Sequence, residues 1–261
     1  MDLKEVAERL KSVSDTPRLD AKLLMESGGD LKEKIHRRLN HEPVSKIIGQ
    51  KGFWKSEFVT SKDVLDPRPD SETIIESVLK CFPDKGKPYR ILDIGVGSGC
   101  LLFSLLDEYP HATGVGIDIS KRALDVAKKN QNDRQATLLQ KDFYNMHFSD
   151  DLGKFDIIIS NPPYIPTNDI QNLSPEVRLF DPMMALDGGR DGLNAYRALA
   201  KGIHPLLNKK AMIFLEIGQG QKQGVTDIFM KSGFTLDKSI PDFGGIIRIL
   251  IFHQEPVGRS L

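Results

Sequence analysis

A glycine-rich segment stands where the chain leaves an apolar run, residues 90–94, and enters a helical one. It has a glycine at every second position and comprises Gly95, Val96, Gly97, Ser98 and Gly99. At the start of a helix, such a loop lets a polar ligand approach backbone N–H groups closely. A dinucleotide-binding loop has the spacing G-x-G-x-x-G, and here the third glycine comes one residue early. The loop therefore favours another ligand, or is only a turn between strand and helix.

Two further groups follow the next two predicted strands. Asp118 ends the second strand, where a carboxylate can accept hydrogen bonds from both hydroxyls of a ribose. Asp142 and Phe143 follow the third strand and can meet an adenine with a polar group and an aromatic face, although Asp142 is equally suited to cap a turn. Together with the G-x-G-x-G loop, these groups resemble the S-adenosyl-L-methionine site of class I methyltransferases. We expect this cofactor to contact residues 95–99, Asp118, Asp142, Phe143 and, from the turn described next, Asn161.

The motif Ser160-Asn161-Pro162-Pro163-Tyr164 follows the fourth predicted strand. Open α/β sheets bind ligands at the carboxyl ends of their strands, so this turn should lie beside the glycine loop. The two prolines fix φ and lack N–H donors, which gives a stiff turn that presents carbonyl acceptors. The Asn161 side-chain oxygen and the Pro162 backbone oxygen can accept both hydrogens of one NH2 group on a planar carbon.

Such a grip suits methylation of an amide, whose delocalised lone pair makes nitrogen a poor nucleophile. Two acceptors would orient the nitrogen towards a methyl donor and favour its pyramidal form, with no strong base required. We therefore predict Asn161, Pro162 and Tyr164 as catalytic residues, and residues 161–164, including Pro163, as the substrate-binding turn. Tyr164 would supply an aromatic wall near the positive sulfur. The alternative is that the tetrapeptide is only a rigid turn after a strand.

The elements that must position these groups can be predicted from the hydrophobic pattern. Residues 1–40 have an apolar helical rhythm broken at Gly28-Gly29, with Asp30 as a cap. A proline- and charge-rich connector follows, with a short hairpin near residues 52–59, and Asp70 or Ser71 can cap the next helix. Strands are then predicted at residues 90–93, 113–119, 137–140, 155–159 and 211–217, and helices at 72–80, 99–108, 121–130 and around 225–231. A long irregular stretch precedes a further helix, predicted at residues 191–207. The last two apolar runs are predicted to form an antiparallel hairpin.

This order predicts an α/β fold with a doubly wound parallel sheet behind a small helical unit. We expect a helical recognition domain at residues 1–50, a connector hairpin at 51–70 and a methyltransferase domain at 71–261.

Composition restricts the function further. Lys plus Arg equals Asp plus Glu at 36 each, so no basic excess is available for a phosphate backbone, and direct nucleic-acid binding is not expected. The two cysteines lack metal-ligand spacing, and none of the six histidines forms an HExxH pair, so no metal is expected. No apolar run reaches the roughly 18 residues of a membrane span, and we expect a cytoplasmic protein without membrane contact.

Several long motifs resemble those of the HemK/PrmC-type release factor glutamine methyltransferases, over nearly the whole chain. They are residues 18–21, 42–44 with Gly49, Phe53-Trp54, 67–72, 185–193 and 215–218. The resemblance implies a seven-stranded class I methyltransferase domain and, as substrate, the glutamine of the Gly-Gly-Gln loop of class I peptide chain release factors, which becomes N5-methylglutamine. A monomer is expected.

Departures from the family pattern include a shortened helical region, Lys46 in place of a common tyrosine and Asp66 in place of a common aliphatic residue. Phe143 stands where a tryptophan can occur. Three other functions stay open: a glutamine methyltransferase for a ribosomal protein, an N6-adenine methyltransferase for nucleic acid, and a non-catalytic S-adenosylmethionine-binding partner. Five charged residues suit substrate contact and structural pairing equally, namely Arg68, Asp70, Glu72, Arg190 and Asp191.

Overall fold

The computed structural model describes residues 1–145, 152–242 and 244–254. Its strands are β1 (Gln50–Phe53), β2 (Ser56–Val59), β3 (Arg90–Ile94), β4 (Thr113–Asp118), β5 (Ala136–Gln140), β6 (Phe155–Ser160), β7 (Leu207–Glu216), β8 (Phe234–Pro241) and β9 (Ile247–Gln254). Its helices are α1 (Leu3–Leu10), α2 (Pro17–Glu26), α3 (Leu31–Leu39), α4 (Val44–Ile48), α5 (Glu72–Cys81), α6 (Cys100–Glu108), α7 (Lys121–Gln131), α8 (Pro175–Phe180), α9 (Met183–Leu186), α10 (Asn194–Gly202) and α11 (Lys222–Lys231).

A seven-stranded sheet with the order β5-β4-β3-β6-β7-β9-β8 forms the centre of the described fold. Strands β3 to β7 are mutually parallel, and β8 and β9 form an antiparallel hairpin at one edge. The doubly wound sheet, the terminal hairpin and the short β1–β2 hairpin are thereby confirmed. The loop of the terminal hairpin includes residue 243, which lies outside the described residues.

Helices cover both faces of the sheet, which is why its central strands are nearly continuous apolar runs. Side chains of β6 alternate between the two cores, with Ile158 in one and Ile157 and Ile159 in the other. Helices α10 and α11 pack on the first core, and α5, α6 and α7 on the second. The parallel arrangement brings the carboxyl ends of β3 to β7 to one edge.

The four N-terminal helices pack around a small core of their own. Its buried members are Val6, Leu10, Ala21, Leu24, Ile35 and Ile47. Asp30 caps α3, as predicted, by accepting hydrogen bonds from the N–H groups of Lys32 and Glu33. The break at Gly28-Gly29 is real, because both residues have positive φ.

A buried ion cluster joins these helices to the connector and to the segment after α8. Lys46 Nζ lies 2.8 Å from Asp66 Oδ1 and 3.2 Å from Asp181 Oδ1, and Arg68 Nη2 lies 2.6 Å from Asp181 Oδ2. The Lys46 ammonium also donates to the Ser61 carbonyl at 2.7 Å. Two departures from the family pattern, Lys46 and Asp66, thus compensate each other, because neither charge could be buried alone without a large cost in stability.

Three local predictions were wrong. The long stretch predicted to be irregular before residue 191 contains α8, α9 and a 3-10 turn at Thr167–Asn172. These helices are too short to show a helical period. Pro175 is the first residue of α8, and Pro182 directly precedes α9. The helix predicted from residue 191 to 207 extends only over Asn194–Gly202, and a separate 3-10 turn follows it.

The third wrong prediction is the cap of α5. A 3-10 turn at Pro69–Ser71 precedes the helix, and the Ser71 side chain makes no capping hydrogen bond. Its hydroxyl is used in the candidate active site instead. Among the described helices, none combines the length and the apolar character needed to cross a membrane.

Candidate active site

A cavity of about 210 Å³ opens at the carboxyl edge of the sheet, beside the ends of β3, β4 and β6. The predicted site residues on its wall are Gly95, Val96, Gly97, Ser98, Asp118, Phe143, Asn161 and Pro163. Gly99, Asp142, Pro162 and Tyr164 are not on the wall, and the surroundings of Gly99, Asp142 and Tyr164 are described below. The structure thus brings together the glycine loop and the proline turn, which are more than 60 residues apart in sequence.

The glycine loop is held against β4 by its own backbone. The N–H groups of Gly95 and Val96 donate to the Ile117 carbonyl at 2.9 and 3.0 Å. A Cβ atom on Gly95 would meet no atom within 4 Å, and one on Gly97 would meet only the Gly95 carbonyl at 4.0 Å. Side chains at these two positions would project into open space beside the loop. Because glycine has no side chain, this space stays free, and we call residues 95–99 the glycine cradle.

Gly99 has a different reason to be glycine. It precedes α6 with φ of 83°, and a Cβ atom would lie 2.2 Å from the Phe103 ring one turn further along that helix. The third glycine of the loop is therefore required by the packing of α6. Its role as a ligand contact stays a prediction.

Asp118 ends β4 on the cavity wall. Its Oδ2 accepts from the Gly97 N–H at 3.0 Å and its Oδ1 from the Ser120 N–H at 2.8 Å. A carboxylate has about four lone-pair positions, so two remain for hydroxyl groups of a ligand. Burial raises the pKa of Asp118, and the hydrogen bonds from Ser120 and Gly97 oppose that rise.

Asp93, within β3 just before the loop, is a group that the sequence prediction missed. It is 1% exposed, and neither carboxylate oxygen has a hydrogen-bond partner within the described chain. Burial, together with the charge of Asp118, raises the pKa of Asp93 to about 8. Asp93 is not on the cavity wall, but a buried carboxyl group two residues before the glycine loop suits a ligand that carries N–H groups. The ammonium of S-adenosylmethionine is such a group.

The segment after β5 presents an aromatic wall. Phe143 is buried on the cavity wall and stacks on Tyr144, with ring centroids 4.4 Å apart. The Asp142 carboxylate accepts from the Tyr144 N–H at 2.9 Å and the Asn145 side chain at 2.6 Å, so it caps this turn. Its predicted contact with adenine stays a prediction.

The proline turn presents one polar side chain to the cavity. Ser160, the last residue of β6, donates through its hydroxyl to the Ile94 carbonyl at 2.6 Å, which fixes the start of the turn beside the glycine loop. The Asn161 amide nitrogen donates to Ser71 Oγ at 3.1 Å. This bond uses the NH2 group of Asn161 and leaves its carbonyl oxygen as an acceptor.

Tyr164 packs against the sheet core behind the turn. Its phenol donates to Glu216 Oε1 at 3.4 Å, and burial, then the charge of Glu216, raises the pKa of that phenol. The Tyr164 carbonyl accepts from Gln221 Nε2 at 2.8 Å, which anchors the end of the turn to the start of α11. Gln221 was not predicted, because its partner is 57 residues away.

The connector forms much of the opposite wall, which the sequence prediction also missed. Residues 63–68 and Ser71 line the cavity, together with Pro182, Met184 and Ala185 beyond α8. The only sequence signal was the clustering of Pro67 and Pro69 with charged residues, which indicates a fixed extended segment but not what it faces.

The sequence leaves the role of five charged residues open between substrate contact and structural pairing. Four of them interact with other residues of the chain. Arg68 binds Asp181, Asp70 lies 3.7 Å from Arg248, Glu72 accepts from the Trp54 N–H, and Asp191 binds Arg197. Arg190 is exposed. Of the five, only Arg68 lies on the cavity wall. No group of three or more potential metal ligands occurs in the described ranges.

Known proteins are similar to this chain in sequence and in fold. The family model "Methyltransferase small domain" matches residues 53–176. A release factor glutamine methyltransferase from Caulobacter vibrioides is 40% identical over 96% of this chain and 94% of its own length. Another, from Rhodospirillum rubrum, is 42% identical over 87% of this chain and 70% of its own length. A ribosomal protein L11 methylase from Lactobacillus delbrueckii has the same fold, with a TM-score of 0.52 at 15% identity over 75% of this chain and 84% of its own.

These similarities confirm the predicted class I methyltransferase fold, the methyltransferase activity and S-adenosyl-L-methionine as methyl donor. Identity of 40% over nearly the full length of both chains is far above what a shared fold alone gives. The chain belongs to the release factor glutamine methyltransferase family.

Proposed function

We propose that this protein methylates the side-chain amide nitrogen of the glutamine in the Gly-Gly-Gln loop of class I peptide chain release factors. The observation that carries the proposal is the orientation of Asn161 on the cavity wall. Because its NH2 group is bound to Ser71, its carbonyl oxygen is left to accept a hydrogen from an incoming amide. The relatives' names supply the class of acceptor protein.

S-adenosyl-L-methionine supplies an electrophilic methyl group when it is bound. The glycine cradle, the Asp118 carboxylate and the Phe143 ring fit the three parts of this donor in the order of the sheet. Backbone N–H groups and open space lie at the loop, two free acceptor positions at Asp118, and an apolar ring beyond β5. We assign residues 95–99, Asp118, Asp142, Phe143 and Asn161 to donor binding.

The reaction is governed by position. Asn161 Oδ1 and the Pro162 carbonyl oxygen accept the two hydrogens of the glutamine amide and hold its nitrogen in one orientation. This grip favours the pyramidal nitrogen that would form the new N–C bond as the methyl carbon–sulfur bond of the donor breaks and a neutral thioether leaves. One of the two amide hydrogens is then lost as a proton to water. Pro163 and Tyr164 complete the turn, and Tyr164 keeps it rigid from behind through Glu216 and Gln221.

An exocyclic amine of adenine presents a similar NH2 group, but the charge balance disfavours it. The chain has 36 basic and 36 acidic residues, so it lacks the excess charge that attracts a phosphate backbone. Two other functions, methylation of a glutamine in a ribosomal protein and a non-catalytic role, are less favoured. The relatives that match over most of their length are named release factor glutamine methyltransferases. The monomeric state, the cytoplasmic location and the division at residues 50 and 70 stay predictions.

Methyl transfer from labelled S-adenosylmethionine tests the proposal. We expect label in a purified class I release factor and none in a release factor whose Gly-Gly-Gln glutamine is replaced by alanine. Label in the replaced factor, or in DNA offered beside it, would refute the substrate assignment.

The acceptor role of Asn161 is tested separately by Asn161→Ala. Removal of a positioned acceptor should lower kcat at least about 100-fold, because misplacement of a reacting group costs that much. Circular dichroism should show an unchanged fold, since Asn161 lies in a turn at the cavity wall. A rate equal to that of the wild type would contradict the role.

A further inference from the structure

A chain of hydrogen bonds leads from the cavity to a buried carboxyl group at the end of β7. Asn161 Nδ2 donates to Ser71 Oγ at 3.1 Å, and Ser71 Oγ donates to Glu216 Oε2 at 2.5 Å. Glu216 and Ser71 are 2% and 3% exposed, so water does not compete for these bonds. The relay joins the proline turn, the connector and the sheet across 145 residues of sequence.

The carboxylate determines the direction of every bond in this relay. An ionised carboxyl group has no hydrogen and only accepts, so the Ser71 hydroxyl must donate to it. The lone pairs of Ser71 then accept, and only the NH2 side of the Asn161 amide can satisfy them. The amide is thereby fixed with its carbonyl oxygen towards the cavity.

We propose that Glu216 and Ser71 are positioning residues that hold Asn161 in its acceptor orientation, and that the reaction requires ionised Glu216. The inference rests on the proposed function, because the orientation matters only when an NH2 group is the acceptor. With a neutral Glu216, the order of the relay is lost. Ser71 can then donate to Asn161, whose NH2 group would face the NH2 group of the substrate.

The surroundings of Glu216 place its ionisation near neutral pH. The groups that face it are Ser71 and Asp70 in the 3-10 turn before α5, Tyr164 after β6, Tyr196 on α10, Arg248 on β9 and Cys100 at the start of α6. Burial raises the pKa of Glu216 to about 7, and the hydrogen bond from Ser71 and the charge of Arg248 oppose a further rise. Activity should therefore fall as pH decreases through about 7.

The first experiment compares three serine variants by kcat, KM for the release factor and Kd for S-adenosylmethionine. We expect Ser71→Ala to lower kcat/KM for the release factor about 10- to 100-fold and to change the donor Kd much less, because Asn161 is only one of the residues assigned to donor binding. Ser71→Thr keeps the hydroxyl and should recover most of this loss. Ser77→Ala is the matched control, since Ser77 is on α5 and equally buried at 3% exposure, and it should behave as the wild type.

The second experiment is the pH dependence of kcat at saturating donor and acceptor. For the wild type, kcat should decrease about tenfold per pH unit well below the Glu216 pKa. Glu216→Gln has no such ionisation, so its kcat should be about 10-fold or more below that of the wild type at pH 8. Its pH profile should also lack the acidic limb, that is, the decrease of kcat at low pH. Should this variant not fold, the pH profile of the wild type and the Ser71 variants still test whether the relay positions Asn161.

The outcomes separate the relay from the proposed function. A Ser71→Ala enzyme as active as the wild type, or a Ser71→Thr enzyme as impaired as Ser71→Ala, overturns the relay. A Glu216→Gln enzyme that keeps the wild-type acidic limb overturns the requirement for ionised Glu216. A wild-type enzyme that does not label release factor refutes the proposed function instead.

Discussion

At the scale of single residues, Asp118 is the clearest test of the donor site. Its carboxylate has two free acceptor positions on the cavity wall and two that hold the Gly97 and Ser120 backbone. Asp118→Ala should raise the Kd for S-adenosylmethionine about 10- to 100-fold, because hydrogen bonds to a charged acceptor are among the stronger ones. Titration calorimetry measures this directly. Asp118→Asn keeps one oxygen and should lose less, and an unchanged Kd in the alanine variant would contradict the assignment.

The glycine cradle makes a second prediction, for which the chain offers a matched control. Gly97 and Gly28 have φ of 53° and 69°, and an added Cβ atom at either would meet no atom closer than 4.0 Å. Replacement by alanine should therefore cost each site a similar backbone strain of about 1 to 2 kcal/mol.

Of these two glycines, Gly97 lines the cavity and Gly28 does not, so Gly97→Ala should also block the donor and Gly28→Ala should not. We expect its Kd for S-adenosylmethionine to rise at least about 10-fold while that of Gly28→Ala stays at the wild-type value, both measured by calorimetry. Equal affinities in the two variants would show that the loop does not approach the ligand.

At the scale of elements, Glu108 at the end of α6 clamps the β1–β2 hairpin to that helix. It accepts from Trp54 Nε1 at 2.9 Å and forms ion pairs with Lys55 and Lys85. Burial would raise the pKa of Glu108, but the hydrogen bonds from the two lysines and Trp54 lower it to about 2. The folded state therefore favours the ionised form of this carboxyl group.

A group with a lowered pKa stabilises the fold above its unfolded pKa of about 4.5 and loses that contribution as pH falls towards about 2. Glu108→Gln should reduce the free energy of unfolding by about 1 to 2 kcal/mol at pH 7, since exposed lysines limit the gain. Urea titrations at pH 7, 5, 4 and 3 should show this difference shrinking below pH 4.5. Glu76→Gln, which breaks an exposed pair with Lys80, should cost less than about 0.5 kcal/mol. A difference that is constant with pH would contradict the clamp.

The regular elements could be predicted from the sequence because each shows its own period over enough residues. Strands β3 to β7 and helices α5, α6, α7 and α11 are close to their predicted places. Helices α8 and α9, of 6 and 4 residues, could not be predicted, because they are shorter than the window in which a helical period can be read.

The site was predictable only where a motif is local. The glycine loop and the proline turn are runs of consecutive residues directly after a strand, and Asp118 is the last residue of one. The sequence predicts Ser71 as a helix cap, the usual role of a serine before a helix. In the structure its hydroxyl instead donates to Glu216. Nothing in either local sequence indicates this pair, since only the closed sheet brings the connector to the end of β7.

At the scale of the whole molecule, the cavity that we propose as the donor site depends on contacts between the connector and the helices and loops of the sheet domain. The Asn130 side chain on α7 accepts from the Val59 N–H at 2.7 Å and donates to the Ser98 carbonyl at 2.9 Å. It thereby ties the β1–β2 hairpin to the glycine loop. Residues 63–68 of the connector then form a wall of the same cavity.

A ligand in that cavity should therefore stabilise the hairpin and the sheet as one unit. The chain has one tryptophan, Trp54, at the turn of the hairpin, so its fluorescence reports on the connector while far-ultraviolet circular dichroism reports on all helices and strands. Donor at about 100 times its Kd adds about 2.7 kcal/mol to the free energy of unfolding, which corresponds to a rise of about 5 to 10 °C in Tm for a chain of this size.

We expect both signals to shift by the same amount, because donor binding requires the connector wall and the glycine loop together. Asp118→Ala at the same donor concentration should show a smaller shift in both, which links the effect to the site. A circular dichroism transition that moves while the Trp54 transition stays at its ligand-free temperature would show that the hairpin unfolds independently and that the connector is no part of the donor site.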